Sequence, residues 1–327
     1  MKTVISLLFL FSTAILFSTT LYINQLEITN PDLHIYNTIG EAYAAAINAD
    51  TLIIFPGDYH ESNTINKSLS IIGSTQNSSR IITNNQVGFD ITTANVYIKN
   101  LVFLCAGSSG IRLSSNTPDT VIDNCLFDSC STGVYIATRA MHTINNSVIR
   151  SCDRGTYVNT TSSSMSGSYN NCIFHDNTTA AVAFWASYGS IYDIDIYNCI
   201  FINNPTCFTK NSGATYSGTI AYNVFFNYTT LGGLDFGAGN IFDDPGLTNV
   251  TGTPYYNYFL LSDSPCIDSG DPNVIKNDLD GTRNDMGIFG GPHQWGDGNP
   301  TVLDINISPD TVQQGGTFNI EAAGQVK

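Results

Sequence analysis

Asn100-Leu-Val-Phe103, Asn124-Cys-Leu-Phe127, Asn146-Ser-Val-Ile149, Asn171-Cys-Ile-Phe174, Asn198-Cys-Ile-Phe201 and Asn223-Val-Phe-Phe226 are one short phrase written six times. The asparagines stand 24, 22, 25, 27 and 25 residues apart. A period of this length, held over several copies, marks a stacked array in which each copy buries its apolar side against the next. Two residues before each asparagine stand Ile98, Ile122, Ile144, Tyr169, Ile196 and Ala221. About ten residues after the phrase comes a further short run, in Gly110-Ile-Arg-Leu113, Gly133-Val-Tyr-Ile136, Gly155-Thr-Tyr-Val158, Val182-Ala-Phe184 and Cys207-Phe-Thr209. The residues between are Gly, Ser, Thr, Asn and β-branched or aromatic types without an apolar stripe at helical spacing, which argues against helical repeats.

Three short strands and three turns per period describe a single-stranded parallel β-helix, an all-β solenoid with coils one sheet spacing apart, roughly 4.8 Å. Equal positions then lie above one another. The spacing predicts an asparagine ladder (Asn100, Asn124, Asn146, Asn171, Asn198, Asn223) whose amides bond to one another, and a column of phenylalanines inside. The position two after each asparagine is also apolar (Val102, Leu126, Val148, Ile173, Ile200, Phe225). Strand alternation cannot turn two neighbours inward. The coil is expected to bend there; the alternative is an apolar outer flank covered by another segment.

The repeats resemble the right-handed parallel β-helix proteins of the pectin-lyase-like superfamily over roughly residues 38 to 292. The opening Thr38-Ile-Gly-Glu-Ala42, with Asp50 to Tyr59 and Ile65 to Gly73, looks like that superfamily's first coil. Asp244-Pro-Gly246, then Tyr258 to Pro272 and Asp278 to Pro292, resembles the closing segment of secreted bacterial β-helix proteins labelled choice-of-anchor Q. The resemblance implies a solenoid and not one activity, since the superfamily includes lyases, hydrolases, epimerases and adhesins. Neither the paired-aspartate and Gly-His-Gly signatures of polygalacturonases nor the Arg-x-Pro-x-x-Arg segment of pectate lyases occurs. Of the titratable residues in the central coils, His175 and Asp176 follow the phenylalanine column and read as turn residues.

Composition agrees with an exported β protein. Charged residues make up 12%, the formal charge is -15 and there are twelve Lys and Arg, a poor match to nucleic acid. Met1-Lys2 followed by the apolar run Val4 to Phe17 has the layout of a secretory signal ending near Thr20, with an uncleaved anchor as the alternative. The expected organisation is a signal peptide at 1–20, an N-terminal cap at 21–50 containing a short helix, the β-helix at 51–240, an irregular closing segment at 241–297, and a linker with a short β tail at 298–327. In the helix, Ile39, Ala42, Tyr43, Ala46 and Ile47 share a face that covers the open first coil. The tail is too short for a core of its own.

Three groups of side chains could carry chemistry. On the outward side of the third strand Arg112, Tyr135 and Tyr157 fall on consecutive coils, with Arg139 and Trp185 nearby. Aromatic rings stack on sugar faces and arginine grips a carboxylate, the equipment for an extracellular polysaccharide. Asp278, Asp280 and Asp285 with Gly281 and Gly287 have the look of a calcium loop without its closing glutamate; alternatively Arg283 pairs with one of them and pins the closing segment. No cofactor is otherwise required. The eight cysteines read as buried thiols filling a narrow interior or as bridges between coils, with Cys172 beside Cys199 and Cys130 beside Cys152. The leading expectation is a monomeric, secreted or surface-attached β-helix that binds polysaccharide and touches membrane only through an uncleaved signal or a lost anchor. The alternatives are a polysaccharide lyase or glycoside hydrolase, and a structural adhesin or spacer.

Overall fold

A computed structural model of the chain describes residues 18–114, 117–137, 141–160, 165–186, 190–248, 258–295, 301–308 and 319–325. The apolar run from Val4 and Arg139 lie outside these residues. From Thr51 to Phe226 the chain winds through three parallel sheets in turn. The first, of 11 strands, includes Tyr97–Lys99, Thr120–Asp123, His142–Asn145, Met165–Asn170 and Ser190–Tyr197. The second, of 8, includes Leu101–Ala106, Leu126–Asp128, Val148–Arg150, Ile173–His175, Ile200–Ile202 and Val224–Phe226. The third, of 7, includes Phe89–Ile91, Ser109–Leu113, Thr132–Ala137, Arg154–Thr160, Ala180–Ala186 and Phe208–Lys210. This is the parallel β-helix that the period predicts.

Register converts the period into columns. Ile98, Ile122, Ile144, Tyr169, Ile196 and Ile220 stack in the first sheet. Phe103, Phe127, Ile149, Phe174, Phe201 and Phe225 stack in the second. Phe103 and Phe127 lie face to face at 5.0 Å, and Phe174 and Phe201 at 4.9 Å. The last copy departs from the sequence reading by one residue, because Val224 pairs with Ile200. Asn223 therefore sits inside, level with Cys199 and accepting its N–H at 2.8 Å, and Tyr222 takes the ladder place.

The ladder asparagines owe their place to backbone conformation. Asn100, Asn124, Asn146, Asn171 and Asn198 have φ of 59°, 51°, 42°, 53° and 57°, the left-handed corner that turns the first sheet into the second. Asparagine enters this region more readily than other side-chain-bearing residues. Because the turn is made at the asparagine itself, the bend expected two residues later is not there. Instead the residues alternate normally: Cys125 or Cys172 inward, Leu126 or Ile173 outward, Phe127 or Phe174 inward.

The outward apolar row is the flank of a second core. Val102, Leu126, Val148, Ile173 and Ile200 are buried beneath Tyr258, Cys266, Met286, Ile288, Phe289 and Trp295. Residues 258–295 thus form a strap that runs back along the outside of the second sheet to mid-solenoid. Gly287 lets it lie close: its φ is 96°, and a Cβ there would stand 2.8 Å from Ile200 Cδ1. The ladder amides point to the strap more than to each other, which corrects the expected amide column. Asn146 Nδ2 donates to the carbonyls of Ile288 and Gly290 at 2.9 and 2.8 Å. Asn171 Nδ2 donates to Asn284 Oδ1, Asp285 O and Gly287 O, and Asn198 Oδ1 accepts the N–H of Asp271 at 2.7 Å. Leu234 and Phe236 pack against the last coil.

At the other end the helix spans Ile39–Ala45, with Ile39 and Ala42 buried. Glu61 accepts the N–H groups of Ile39 and Gly40 at 3.0 and 2.8 Å, while Thr38 caps Glu41. Thr20–Ile23 forms a strand beside Thr51–Ile54. The tail holds an antiparallel pair, Thr301–Ser308 with Asn319–Gln325.

Candidate functional site

Parallel register carries each side chain of the third sheet onto the one below. Asp90, Arg112, Tyr135 and Tyr157 form one outward column, and Asn159 and Trp185 form part of a second, two residues along. The Tyr135 and Tyr157 rings meet edge to face at 5.4 Å, and the Arg154 guanidinium lies over the Tyr157 ring at 4.9 Å. Asn159 Nδ2 donates to the Tyr135 hydroxyl at 3.0 Å. Trp185 is 58% exposed. Four of the expected site residues, Arg112, Tyr135, Tyr157 and Trp185, thus share one face.

Arg112 is not poised for a ligand acid as expected. Its Nε donates to Asp90 Oδ1 at 2.9 Å and its Nη2 to Asp90 Oδ2. Burial raises the Asp90 carboxyl, but the Arg112 and Ser114 hydrogen bonds outweigh it and leave the group below the usual carboxylate range. Asp90 precedes Arg112 by 22 residues, so extending the period one coil upstream would have found it.

A second cluster lies where the strap meets the first sheet. Lys99, Asp123, Asn145, Asn170 and Tyr197 form its outward column. Asp123 is buried: Oδ2 accepts from the Tyr97 hydroxyl at 2.8 Å and lies 3.9 Å from Lys99 Nζ and 3.6 Å from His293 Nδ1. That pairing holds His293 above the usual histidine range, against the opposing effects of burial and Lys99. Three coils on, Lys276 pairs with Asp271 at 2.8 Å and covers the Tyr197 ring at 3.9 Å. Between them opens a cavity of about 270 Å³, bordered by Asn145, Asn170, Lys276, Pro292 and His293. Nothing in the linear sequence placed the strap residues here.

A third cluster fixes the start of the strap. Arg150 pairs with Asp128 at 2.6 Å, and His175, one coil on, meets Asp176 at 3.1 Å and the Tyr258 hydroxyl at 2.9 Å. His175 is thus a buried strap contact as well as a turn neighbour.

The three aspartates of the suspected calcium loop accept backbone N–H groups: Asp278 from Asp285 and Gly291, Asp280 from Thr282, and Asp285 from Asp268. Among the described residues no three His, Cys, Asp or Glu side chains gather as metal ligands would. Arg283 donates to the carbonyls of Gly270 and Ser269 where an aspartate partner was expected. All eight cysteines are buried free thiols. Cys172 and Cys199 are neighbours as expected, the Cys172 N–H lying 3.4 Å from Cys199 Sγ.

Residues 58–201 match the family model described as right handed beta helix region. No curated protein matches the chain. Among solved structures, the pectate lyase Pel9A is similar at 13% identity and TM-score 0.47, covering 83% of this chain and 96% of that one. ORF18 of Geobacillus virus E2 follows at 13% identity and TM-score 0.36, covering 63% and 56%. Pectin methylesterase from Aspergillus niger stands at 14% and 0.30, covering 63% and 81%.

Proposed function

We propose that this right-handed parallel β-helix binds polysaccharide outside the cell along the outer face of its third sheet. The observation that carries the reading is the Tyr135–Tyr157 pair on consecutive coils, with exposed Trp185 one coil further on. A parallel solenoid repeats its surface at roughly 4.8 Å, so aromatic side chains on successive coils offer apolar contact to an extended sugar chain. Asn159 and Arg154 supply hydrogen bonds at the margin. Since Arg112 is committed to Asp90, the strip favours neutral chains over acidic ones. The apolar run Val4 to Phe17 and the choice-of-anchor Q likeness of residues 244–292 support export to the cell surface.

The test is retention on immobilised neutral and acidic glycans, with formation of unsaturated products followed in parallel. Retention of a neutral polymer that weakens in Tyr157→Ala and Trp185→Ala by roughly 2 kcal/mol, about thirtyfold, supports the reading. Products from any polymer would replace it with catalysis. Silence in both assays would leave a spacer or adhesin.

A further inference from the structure

We infer that the cavity between the first sheet and the strap is a second binding site, for one neutral, polyhydroxylated ring, and that it is independent of the aromatic strip. Its volume of about 270 Å³ falls just below the roughly 300 to 1,000 Å³ of pockets for drug-sized ligands. It therefore suits a single sugar ring and not a chain.

Its hydrogen-bonding groups have unequal duties. Asn146, Asn171, Asn198 and Asn284 spend their amides on the strap and on one another. Asn145 and Asn170, on consecutive coils, do not. Asn170 Nδ2 donates to Asn145 Oδ1 at 3.1 Å and to Ser168 Oγ at 3.2 Å. Among the described residues this leaves the Asn145 NH2 group and the Asn170 carbonyl oxygen with no protein partner, both on residues that border the cavity. A donor and an acceptor one coil apart, roughly 4.8 Å, match two hydroxyls on the same side of a ring. Such a ligand both gives and receives hydrogen bonds, which a simple anion cannot do.

Charge decides between a neutral ring and an acid. Lys276, which borders the cavity, pairs with Asp271 at 2.8 Å, and Asp123 beside His293 also faces Lys99 at 3.9 Å. The fixed charges, Lys99 and Lys276 against Asp123 and Asp271, balance within a chain of formal charge -15. A ligand carboxylate would meet Asp123 and Asp271 behind their partners and gain little.

The experiment is ligand-observed NMR on the full chain with glucose, galactose, mannose and galacturonate, each at millimolar concentration. A neutral hexose is expected to bind more tightly than galacturonate and to lose about tenfold in affinity in Asn170→Ala, the worth of one hydrogen bond. Should that variant lose cooperative unfolding, His293→Gln at the outer edge of the strap reads the same site. Galacturonate binding at least as well as every hexose, no hexose binding, or a hexose signal unchanged in the variant that folds would overturn the inference. Polymer retention reads the aromatic strip separately, so either site can fail alone.

Discussion

The indole N–H of Trp295 donates to the backbone carbonyl of Asn146, 149 positions earlier in the chain. That bond holds the strap against mid-solenoid, where Trp295 also packs edge to face on Phe289. Trp295→Ala removes a buried aromatic side chain and leaves a corner carbonyl unpaired, a loss of about 3 to 5 kcal/mol. Urea unfolding should show a lower midpoint or a separate early transition as the strap leaves the second sheet. An unchanged midpoint would mean that the strap adds nothing to stability.

Asn124 and Asn171 share a backbone conformation but differ in what their side chains do. Asn124 Oδ1 is buried without a partner, whereas Asn171 holds Asn284, Asp285 and Gly287. Asn124→Gly should therefore be nearly neutral, and Asn124→Ala should cost about 1 to 2 kcal/mol for the left-handed backbone. Asn171→Gly should cost about 1 to 3 kcal/mol through the acceptors it abandons. Equal losses at the two positions in thermal unfolding would refute this division.

Phe201 stacks on Phe174 and on Phe225, each at 4.9 Å, inside the solenoid. Phe201→Ala should cost about 3 to 5 kcal/mol and should lower the midpoint of the whole β-helix. Calorimetry that shows a loss below 1 kcal/mol, roughly the worth of one methylene, would contradict a packed column.

Two histidines grip the strap and respond to pH with opposite sign. His293 is raised by its bond to Asp123, so the folded state holds the proton more tightly than the unfolded chain. Its contribution is complete below about pH 6.5 and is lost as pH rises through the higher folded value. His175 is lowered first by burial, then by Arg150, against the opposing pull of Asp176. Its folded form resists the proton, so stability falls as pH drops below about 6.5. Melting temperature against pH should lose its alkaline decline in His293→Gln and its acid decline in His175→Gln; the reverse pattern would show the signs to be wrong.

Burial pushes the thiols of Cys125, Cys207 and Cys266 up to about 12, and all eight cysteines are buried. Thiolate is the reactive form. A thiol reagent should label none of them in the native protein and all eight after unfolding. Rapid labelling of the native state, or fewer than eight after unfolding, would point to exposure or to bridges.

The amino-acid sequence by itself determined the winding. Stacked coils pair equal positions, so Ile122 over Ile98 and Phe127 over Phe103 follow from a local period, and Tyr135 over Tyr157 follows with them. The tertiary structure decided what lies outside the coils. Leu126 and Ile173 show the same apolar pattern whether the chain bends there or a distant segment covers them. The choice rests on Ile288 and Trp295, more than a hundred residues away, meeting that row. It also decided the partners of polar groups: Arg112 turned to Asp90, and His293 came to Asp123. The physical reason is one of range. A repeat sets contacts between neighbouring windings at fixed spacing, whereas an irregular strap is positioned by the sum of many weak contacts that no period encodes.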